Sequence, residues 1–216
     1  MKQFAVIGCG RFGSALAKTL YKNGFDVLAI DESPEIIQNI SEHVTHSVSI
    51  DVKDENALRA VGMRNIDVAI VAIGSEIKAS IMVTLVVKEM GVRYVVAKAQ
   101  DELHAKVLYK IGADRVIFPE RDMGVRLAYN LTSTNILDYI ELAPDYSIME
   151  IVAPLRWIDK TLTETDIRAK YGLSILAIKH GETVKVSPKA EEVIRRGDVL
   201  VVVGSNDDLQ KAQDKV

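Results

Sequence analysis

The residues with the clearest chemistry are the glycines of the segment Gly8–Gly13, which reads GCGRFG. This GxGxxG pattern follows a segment typical of a buried strand and opens one with helical spacing, the context in which it binds phosphate. Gly8 permits a tight turn, Gly10 lets the backbone approach phosphate, and Gly13 lets the helix pack on the sheet. The free N–H groups at the start of the helix attract an anion. The segment therefore predicts a binding site for the phosphates of a nucleotide.

A carboxylate follows this motif at about twenty residues, as it does in dinucleotide-binding folds. Asp31 ends the predicted second strand, where its oxygens can accept hydrogen bonds from both ribose hydroxyls. Its charge would repel a 2′-phosphate, which disfavours NADP. The alternative is an exposed Asp beside a purely structural glycine turn, but the combination favours an adenine nucleotide.

Two side chains inside the glycine motif have open interpretations. Arg11 is either a fixed positive charge that reaches a terminal phosphate or a solvated surface arginine. Cys9 is either a small filler residue or a redox sensor, and we favour the first interpretation.

Further pocket candidates follow the later strands, because open α/β sheets bind ligands at the carboxyl ends of their strands. Each has a structural alternative, such as a helix cap for Asp51, a solvated tip for Lys98 or an exposed helix face for His104. The candidates are Asp51, Val52, Ile73, Gly74, Ser75, Lys98, Ala99, Gln100, His104 and Glu120.

The elements that must position these residues alternate between strands and helices, which predicts a doubly wound parallel sheet of the Rossmann type. The predicted strands are Gln3–Gly8, Asp26–Ile30, His46–Ile50, Val68–Ile73, Tyr94–Ala97 and Arg115–Phe118. The predicted helices are Ser14–Lys22, Pro34–Glu42, Asn56–Val61, Ile77–Met90 and Glu102–Ile111. Ser33, Asp54 and Asp101 are candidate N-caps, and Gly24, Gly62, Gly91 and Gly112 follow helices.

The pattern changes near residue 143. A helical pattern runs from Met123 to about Asn130 or, in a longer alternative, to Ile140, and Leu142–Asp145 interrupts it. We place the domain boundary here, giving a nucleotide-binding domain at 1–143 and a small α+β lobe at 144–216. The lobe's predicted strands are Ser147–Val152, Ser174–Lys179, Thr183–Val186 and Val199–Val203, and its helices are Glu164–Lys170 and Asp207–Asp214. So small a lobe buries little core alone, which favours docking or dimerisation.

Composition excludes several classes of protein. A net charge of −3 argues against a protein that coats nucleic acid. No apolar run is long enough to span a bilayer, and the strand pattern at Met1–Gly8 leaves no room for a signal peptide. With a single cysteine, Cys9, no internal disulfide forms. We expect a cytoplasmic protein.

Two functional hypotheses suit the predicted fold, a ligand-sensing subunit and a small NAD-dependent oxidoreductase, and fold alone does not decide between them. The small second lobe lacks an acid–base pair for a hydride-transfer substrate. No HExxH, CxxC or Ser-His-Asp arrangement is readable in the sequence. We therefore favour a sensor that is not an enzyme.

Nearly the whole chain resembles the cytosolic regulatory subunits (RCK or KTN proteins) of bacterial Ktr/Trk-type potassium uptake systems, most closely the Ktr A-type subunits. The segments that carry the resemblance are Phe4–Gly13, Val71–Gly74, Lys98–Gln100, Lys110–Arg115, Pro119–Gly124, Arg168–Gly172 and Ile175–Lys179.

This resemblance implies a Rossmann lobe, a crossover helix at about 123–140 that dimerises, and a C-terminal lobe. It also implies dimers assembled as an octameric ring beneath a membrane subunit that translocates potassium. Such subunits bind ATP, ADP or NAD(H), and the bound nucleotide biases ring shape and transport.

Carried over by position, the resemblance places Arg11 at the terminal phosphates and Asp31 at the ribose. Glu120 stands where the family holds a divalent cation, Mg²⁺ or Ca²⁺, near the phosphates. Some relatives also bind cyclic di-AMP between paired C-terminal lobes, for which Arg168 and Pro188 are the positions of interest. The remaining cleft residues implied by position are Gly8, Gly10, Phe12, Gly13, Glu32, Ser33, Asp51, Val52, Ile73, Gly74, Ser75, Lys98, Ala99, Gln100 and His104.

Overall fold

The computed structural model describes residues 2–132, 136–143 and 145–214. They form two compact units, one reaching to Glu120 and one starting at Arg121. The first unit contains a parallel six-stranded sheet in the order β3-β2-β1-β4-β5-β6, which confirms the doubly wound fold. Its strands are β1 (Gln3–Ile7), β2 (Asp26–Asp31), β3 (His46–Ser49), β4 (Val68–Val71), β5 (Tyr94–Lys98) and β6 (Arg115–Ile117).

Helices connect these strands, and their ends confirm the predicted caps. The helices are α1 (Arg11–Lys22), α2 (Pro34–Ile40), α3 (Glu55–Ala60), α4 (Ile77–Glu89), α5 (Glu102–Lys110) and α6 (Pro119–Thr132). The side chains of Ser33, Asp54 and Asp101 accept hydrogen bonds from backbone N–H groups in the first turns of α2, α3 and α5. Gly24, Gly62, Gly91 and Gly112 have positive φ angles.

The parallel sheet is buried on both faces, and β1 shows how its sequence achieves this. Successive side chains of a strand point to opposite faces. Ala5 and Ile7 join the core that packs under α4 and α5 with Val83. Val6 joins the core on the other face with Ala17 of α1. A continuous apolar run is therefore the expected pattern of this central strand.

The second unit contains a five-stranded sheet in the order β10-β9-β11-β8-β7. Its strands are β7 (Ile136–Ala143), β8 (Tyr146–Val152), β9 (Ser174–His180), β10 (Thr183–Val186) and β11 (Val199–Ser205). Helix α6 from Arg121 onward belongs to it, together with α7 (Leu162–Thr165), α8 (Ile167–Tyr171) and α9 (Asn206–Asp214). Trp157, Leu173, Ile194 and Leu200 lie in its core. The predicted small α+β lobe is confirmed.

The predicted helix from Met123 to about Asn130 is confirmed, but its extension to Ile140 is wrong. The helix ends at Thr132, and Ile136–Ala143 forms β7, which pairs antiparallel with β8. Tyr139 is buried in the core of this unit, and β-branched and aromatic residues favour a strand that packs in this way. Residues 133–135 of the predicted helix lie outside the described residues. Because β7 belongs to the second unit, the boundary predicted at 143 and 144 falls inside that unit.

The helix predicted at Glu164–Lys170 is divided in two. Asp166 separates α7 from α8 and has a left-handed backbone with φ of 49°. At the other end of α7, Thr161 and Glu164 form a reciprocal capping box that fixes the start of the helix.

Candidate functional site

The glycine segment forms a tight turn between β1 and α1. A Cβ at Gly13 would lie 1.9 Å from the carbonyl oxygen of Gly8, so only glycine fits there. Gly8 has a φ of 90°, and a Cβ on it would press against the backbone of Ala72 and Ile73 at 3.1 Å. At Gly10, by contrast, no described atom lies within 4 Å of a Cβ. The space over Gly10 is therefore open to a ligand, as its predicted role requires.

The start of α1 is free to bind an anion. Gly10 occupies the N-cap position, and no side chain in the described residues caps the helix. The first turn also lacks an acidic residue. The unpaired N–H groups at a helix start carry partial positive charge, and Arg11, the first residue of α1, adds a full one.

Asp31 is held against the glycine turn. Its carboxylate accepts hydrogen bonds from the backbone N–H of Cys9 at 2.6 Å and from that of Ser33 at 2.9 Å. The residue is 8% exposed, and it lines the same cavity as the glycine turn. These contacts fix the carboxylate at the end of β2, beside the place where phosphates would lie.

Cys9 has the environment of a structural residue. Its side chain is buried, and its thiol lies 3.6 Å from the carbonyl oxygen of Ile30. Burial, together with the nearby charge of Asp31, raises the pKa of the Cys9 thiol to about 12. Since the thiolate is the reactive form, this environment favours the filler interpretation over redox sensing.

We expect native Cys9 to resist alkylation by iodoacetamide at pH 8. At that pH a thiol with a pKa of about 12 is almost entirely protonated, and an unfolded thiol with a pKa of about 8.5 is far more reactive. Mass spectrometry after timed labelling, with and without denaturant, measures the difference. Equal labelling rates in the two conditions would show that Cys9 is accessible and reactive.

The carboxyl ends of the strands enclose one cavity of about 390 Å³. It brings together most of the predicted site residues. The predicted residues that line it are Gly8, Gly10, Arg11, Phe12, Gly13, Asp31, Glu32, Ser33, Val52, Ile73, Gly74, Ser75, Lys98 and Glu120. A larger cavity of about 480 Å³ lies at the amino ends of β1, β2 and β3, away from the glycine turn.

An ion pair joins two sides of the ligand cavity. Lys98, at the end of β5, donates to the carboxylate of Glu120, the second residue of α6. The hydrogen bond from Lys98 lowers the pKa of Glu120, and the charge of Arg11 lowers it further. The Lys98 side chain is 11% exposed and that of Glu120 is 70% exposed, so the lysine is held in place while the carboxylate faces solvent.

Gly74 accommodates the Lys98 side chain. A Cβ at Gly74 would lie 3.0 Å from the Lys98 Nζ, and its carbonyl oxygen accepts a hydrogen bond from the Gln100 side chain. The residues that end and follow β5 therefore contact the loop after β4 at Gly74.

Four predicted residues are not among the cavity lining: Asp51, Ala99, Gln100 and His104. Asp51 instead accepts a hydrogen bond from the backbone N–H of Lys53, and Ala99 is buried. His104 is 3% exposed, and its Nδ1 accepts from the N–H of Gln100 at 3.3 Å. Burial lowers the pKa of His104.

Five lining residues were missed by sequence reasoning: Ile36, Lys53, Ala72, Glu76 and Ala79. Lys53 and Glu76 directly follow the predicted Val52 and Ser75, so the rule about strand ends would have found them if extended by one residue. The Nζ of Lys53 and the carboxylate of Glu76 form an ion pair at 3.2 Å. Ile36 and Ala79 line the cavity from α2 and α4, and Ala72 directly follows β4. All three are apolar, so the sequence carries no polar signal there.

Two family models match the sequence of this chain. A TrkA-N domain model matches residues 4–119, and a TrkA-C domain model matches residues 147–216. The chain is also 48% identical over 215 residues to the Ktr system potassium uptake protein C of Bacillus subtilis (strain 168), covering 100% of this chain and 97% of that protein. The chain belongs to the Ktr/Trk family of potassium uptake proteins. The family predicted from the sequence motifs is therefore confirmed.

Other relatives in the Ktr/Trk family agree over the same length. The Ktr system potassium uptake protein A of Bacillus subtilis (strain 168) is 44% identical, with 99% of this chain and 96% of that protein covered. The motifs indicated a resemblance to the A-type subunits, and the chain is similar to the C-type protein over the same length. In the described residues, no helix has the length and apolar character needed to cross a bilayer.

Solved structures of a related channel share the fold. A GsuK channel bound to NAD is 25% identical with a TM-score of 0.55, covering 100% of this chain and 38% of the channel chain. GsuK bound to ADP is 28% identical with a TM-score of 0.51, covering 60% of this chain and 33% of that one. The Ktr/Trk chain described here spans less than half the length of these channel chains.

Proposed function

We propose that this chain is the nucleotide-sensing regulatory subunit of a potassium uptake system, and that it binds ATP or ADP, alternatively NAD(H). One observation carries the nucleotide proposal, namely that a single cavity gathers the glycine turn, Asp31, Arg11 and Lys98. Phosphates need positive charge and free N–H groups, and a ribose needs a fixed acceptor. Whole-length relatives named as potassium uptake proteins support the transport role.

The arrangement of charges suggests how phosphates would be read. The start of α1 holds the inner phosphates, which ATP and ADP share, and Arg11 and Lys98 supply charges farther along the cavity. Lys98 is neutralised by Glu120. A bound phosphate competes with that carboxylate for the ammonium, so Glu120 is released when the phosphate arrives. The cavity then differs in charge between its empty and occupied states.

A divalent cation is part of the proposal only in the presence of a triphosphate. Within the described part of the chain, no group of three or more His, Cys, Asp or Glu side chains could hold a metal ion. Glu120 is a single carboxylate, but Mg²⁺ is commonly bound by one or two carboxylates together with substrate phosphates. Glu120, once released from Lys98, fits that ligand set beside the phosphates of ATP.

We also propose that the chain assembles with itself and with a membrane subunit that translocates potassium, at the inner face of the membrane. Helix α6 and strand β7 expose several large apolar side chains, which on a monomer would face water. They are Met123, Val125, Leu127, Leu131, Ile140 and Leu142. This surface suits the dimer contact of the proposed octameric ring.

We expect the purified protein to be a dimer or larger, most simply an octamer, by multi-angle light scattering. Leu127→Asp should reduce the measured mass, because it places a charge in the apolar surface of α6, where Leu127 is 52% exposed. Leu155→Asp is the matched control, since Leu155 is an exposed leucine outside α6 and β7. A stable monomer at micromolar concentration would contradict the ring.

We also propose that the C-terminal lobe binds cyclic di-AMP. Arg168 is exposed on α8 and Pro188 is half-buried after β10. Both positions are reachable by a ligand that joins two lobes, and the titration below includes it.

The proposal is tested by calorimetric titration of the purified protein with ATP, ADP, NADH and cyclic di-AMP. We expect saturable binding of an adenine nucleotide at one site per chain, lost when Gly13 is replaced by valine. Absorbance at 340 nm with NADH and a panel of carbonyl compounds tests the enzyme alternative. Steady turnover would favour an oxidoreductase, and the absence of any nucleotide binding would overturn the sensor.

A further inference from the structure

The cavity is crossed by a second ion pair, between Lys53 and Glu76. Their charged atoms lie 3.2 Å apart, and the two side chains are 45% and 49% exposed. Both residues line the cavity that contains Asp31 and the glycine turn. Lys53 follows β3, whereas Glu76 precedes α4 in the loop after β4. The pair therefore joins two loops at the carboxyl end of the sheet.

The order of the strands shows which parts of the sheet lie between Lys53 and Glu76. Strand β3 is separated from β4 by β2 and β1. Three strand spacings correspond to roughly 14 Å, so the two side chains together bridge the ends of both central strands. Those ends carry Asp31 and Gly8. The ion pair thus lies across the region that the ribose and base would occupy.

Hydrogen bonds to Asp51 hold the backbone around Lys53, and Glu76 stands at the start of α4. The N–H of Lys53 donates to the carboxylate of Asp51 at 2.9 Å, and the N–H of Asp54 donates to the Asp51 carbonyl oxygen at 3.0 Å. Glu76 occupies the N-cap position of α4, but its side chain makes no capping hydrogen bond among the described residues. Its carboxylate instead accepts from Lys53, and this contact raises the pKa of Lys53.

We propose that Lys53 and Glu76 form an ionic strap that retains the nucleoside part of a bound nucleotide. The inference rests on the proposed function and deepens it. The glycine turn and Asp31 hold the phosphates and the ribose. The strap covers the nucleoside end of the ligand, which these residues do not enclose. Both are positioning residues, because they act by holding the loops after β3 and β4 together. Release of the nucleotide requires the strap to open.

The test measures dissociation of ADP from the immobilised full chain by surface plasmon resonance. Lys53→Met and Glu76→Gln should each increase the dissociation rate about two- to fivefold at low salt, the range for an exposed ion pair. The double variant with exchanged charges, Lys53→Glu with Glu76→Lys, should return the rate to within about twofold of the original. At about 1 M salt the Debye length falls to about 3 Å, so the single variants and the original protein should converge.

The matched control is Glu55→Gln, which removes the ion pair of Arg59 and Glu55 on α3. Its side chains have similar exposure, 43% and 51%, and we expect the ADP dissociation rate to stay unchanged. An exchanged-charge variant that releases ADP as fast as the single variants would overturn the strap, because it would indicate direct contact with the ligand. Single variants that match the original protein at low salt would overturn it too. Failure of the original protein to bind ADP would instead overturn the proposed function, and the strap with it.

Discussion

Replacement of Asp31 by alanine should weaken the binding of ATP, ADP and NADH by about 1.5–3 kcal/mol, or roughly 10- to 150-fold. The change removes a charged acceptor for the ribose hydroxyls. It should also improve the binding of NADPH relative to NADH, because a carboxylate at this place repels a 2′-phosphate. Isothermal titration of each nucleotide measures both effects.

The loss of nucleotide affinity in Asp31→Ala has a second source besides the ribose contact. Its carboxylate accepts from the N–H groups of Cys9 and Ser33, so alanine leaves two backbone donors without their acceptor. The glycine turn itself is then less firmly held, and part of the lost affinity arises from the phosphate end of the site.

A comparison of ADP with 2′-deoxy-ADP separates the two contributions. In the original protein, loss of the 2′-hydroxyl should reduce affinity, because one hydrogen bond to Asp31 disappears. In Asp31→Ala the two ligands should bind equally, whatever has happened to the turn. If the variant still prefers ADP by the original factor, another residue holds the ribose.

The first unit was predictable because several independent signals agree on each of its elements. Gly13 shows this most clearly, since one position satisfies the GxGxxG spacing, lies in the first turn of a helix, and has no room for a Cβ. The caps at Ser33, Asp54 and Asp101 were predictable for the same reason, because the interaction spans only two or three residues. Local geometry fixes these contacts before any tertiary packing is considered.

The strand β7 was not predictable from its own residues. Ile136, Tyr139 and Ile140 are apolar at spacings of three and four, which also fits one face of a helix. Its pairing with β8, along a register from Ile136 to Ala143, decides in favour of a strand. That partner lies on a separate element, so its effect is absent from a local pattern.

For the candidate site, the positions of the residues were predictable from the sequence, whereas the contacts between their side chains were not. Topology places residues at the ends of strands, and that rule located Lys98 and Glu120. It does not state which side chains meet, because the pair of Lys98 and Glu120 is separated by 22 residues. His104 illustrates the converse, since the sequence places it beside the cleft, but its side chain turns into the protein and is 3% exposed.

The ion pair between Lys98 and Glu120 alters the charge argument for distinguishing ATP from ADP. Glu120 taken alone would repel a triphosphate, but in the structure it is neutralised by Lys98. A phosphate that takes over Lys98 leaves Glu120 with an unpaired negative charge close to the ligand. A divalent cation between this carboxylate and the phosphate oxygens would convert the repulsion into attraction.

We therefore expect Mg²⁺ or Ca²⁺ to tighten ATP binding more than ADP binding, and Glu120→Gln to abolish that difference. The amide keeps the size of the side chain but removes the charge that the cation needs. Glu42→Gln is the matched control, because Glu42 is an exposed carboxylate that does not line this cavity. Titrations with and without EDTA measure the effect of the cation.

Arg11 should contribute to the preference for ATP over ADP independently of the cation. It begins α1 and lines the cavity beside Lys98 and Glu120, where it can reach the outermost phosphate of ATP but has no such partner in ADP. Arg11→Ala should then lower ATP affinity more than ADP affinity by about 1.5–3 kcal/mol, with or without the cation. The Arg11 effect persists in EDTA, whereas the Glu120 effect requires the metal, so the two residues are distinguishable in one set of isotherms. If both variants lose ATP and ADP affinity equally, neither residue reads the terminal phosphate, and the nucleotides must be distinguished elsewhere in the cavity.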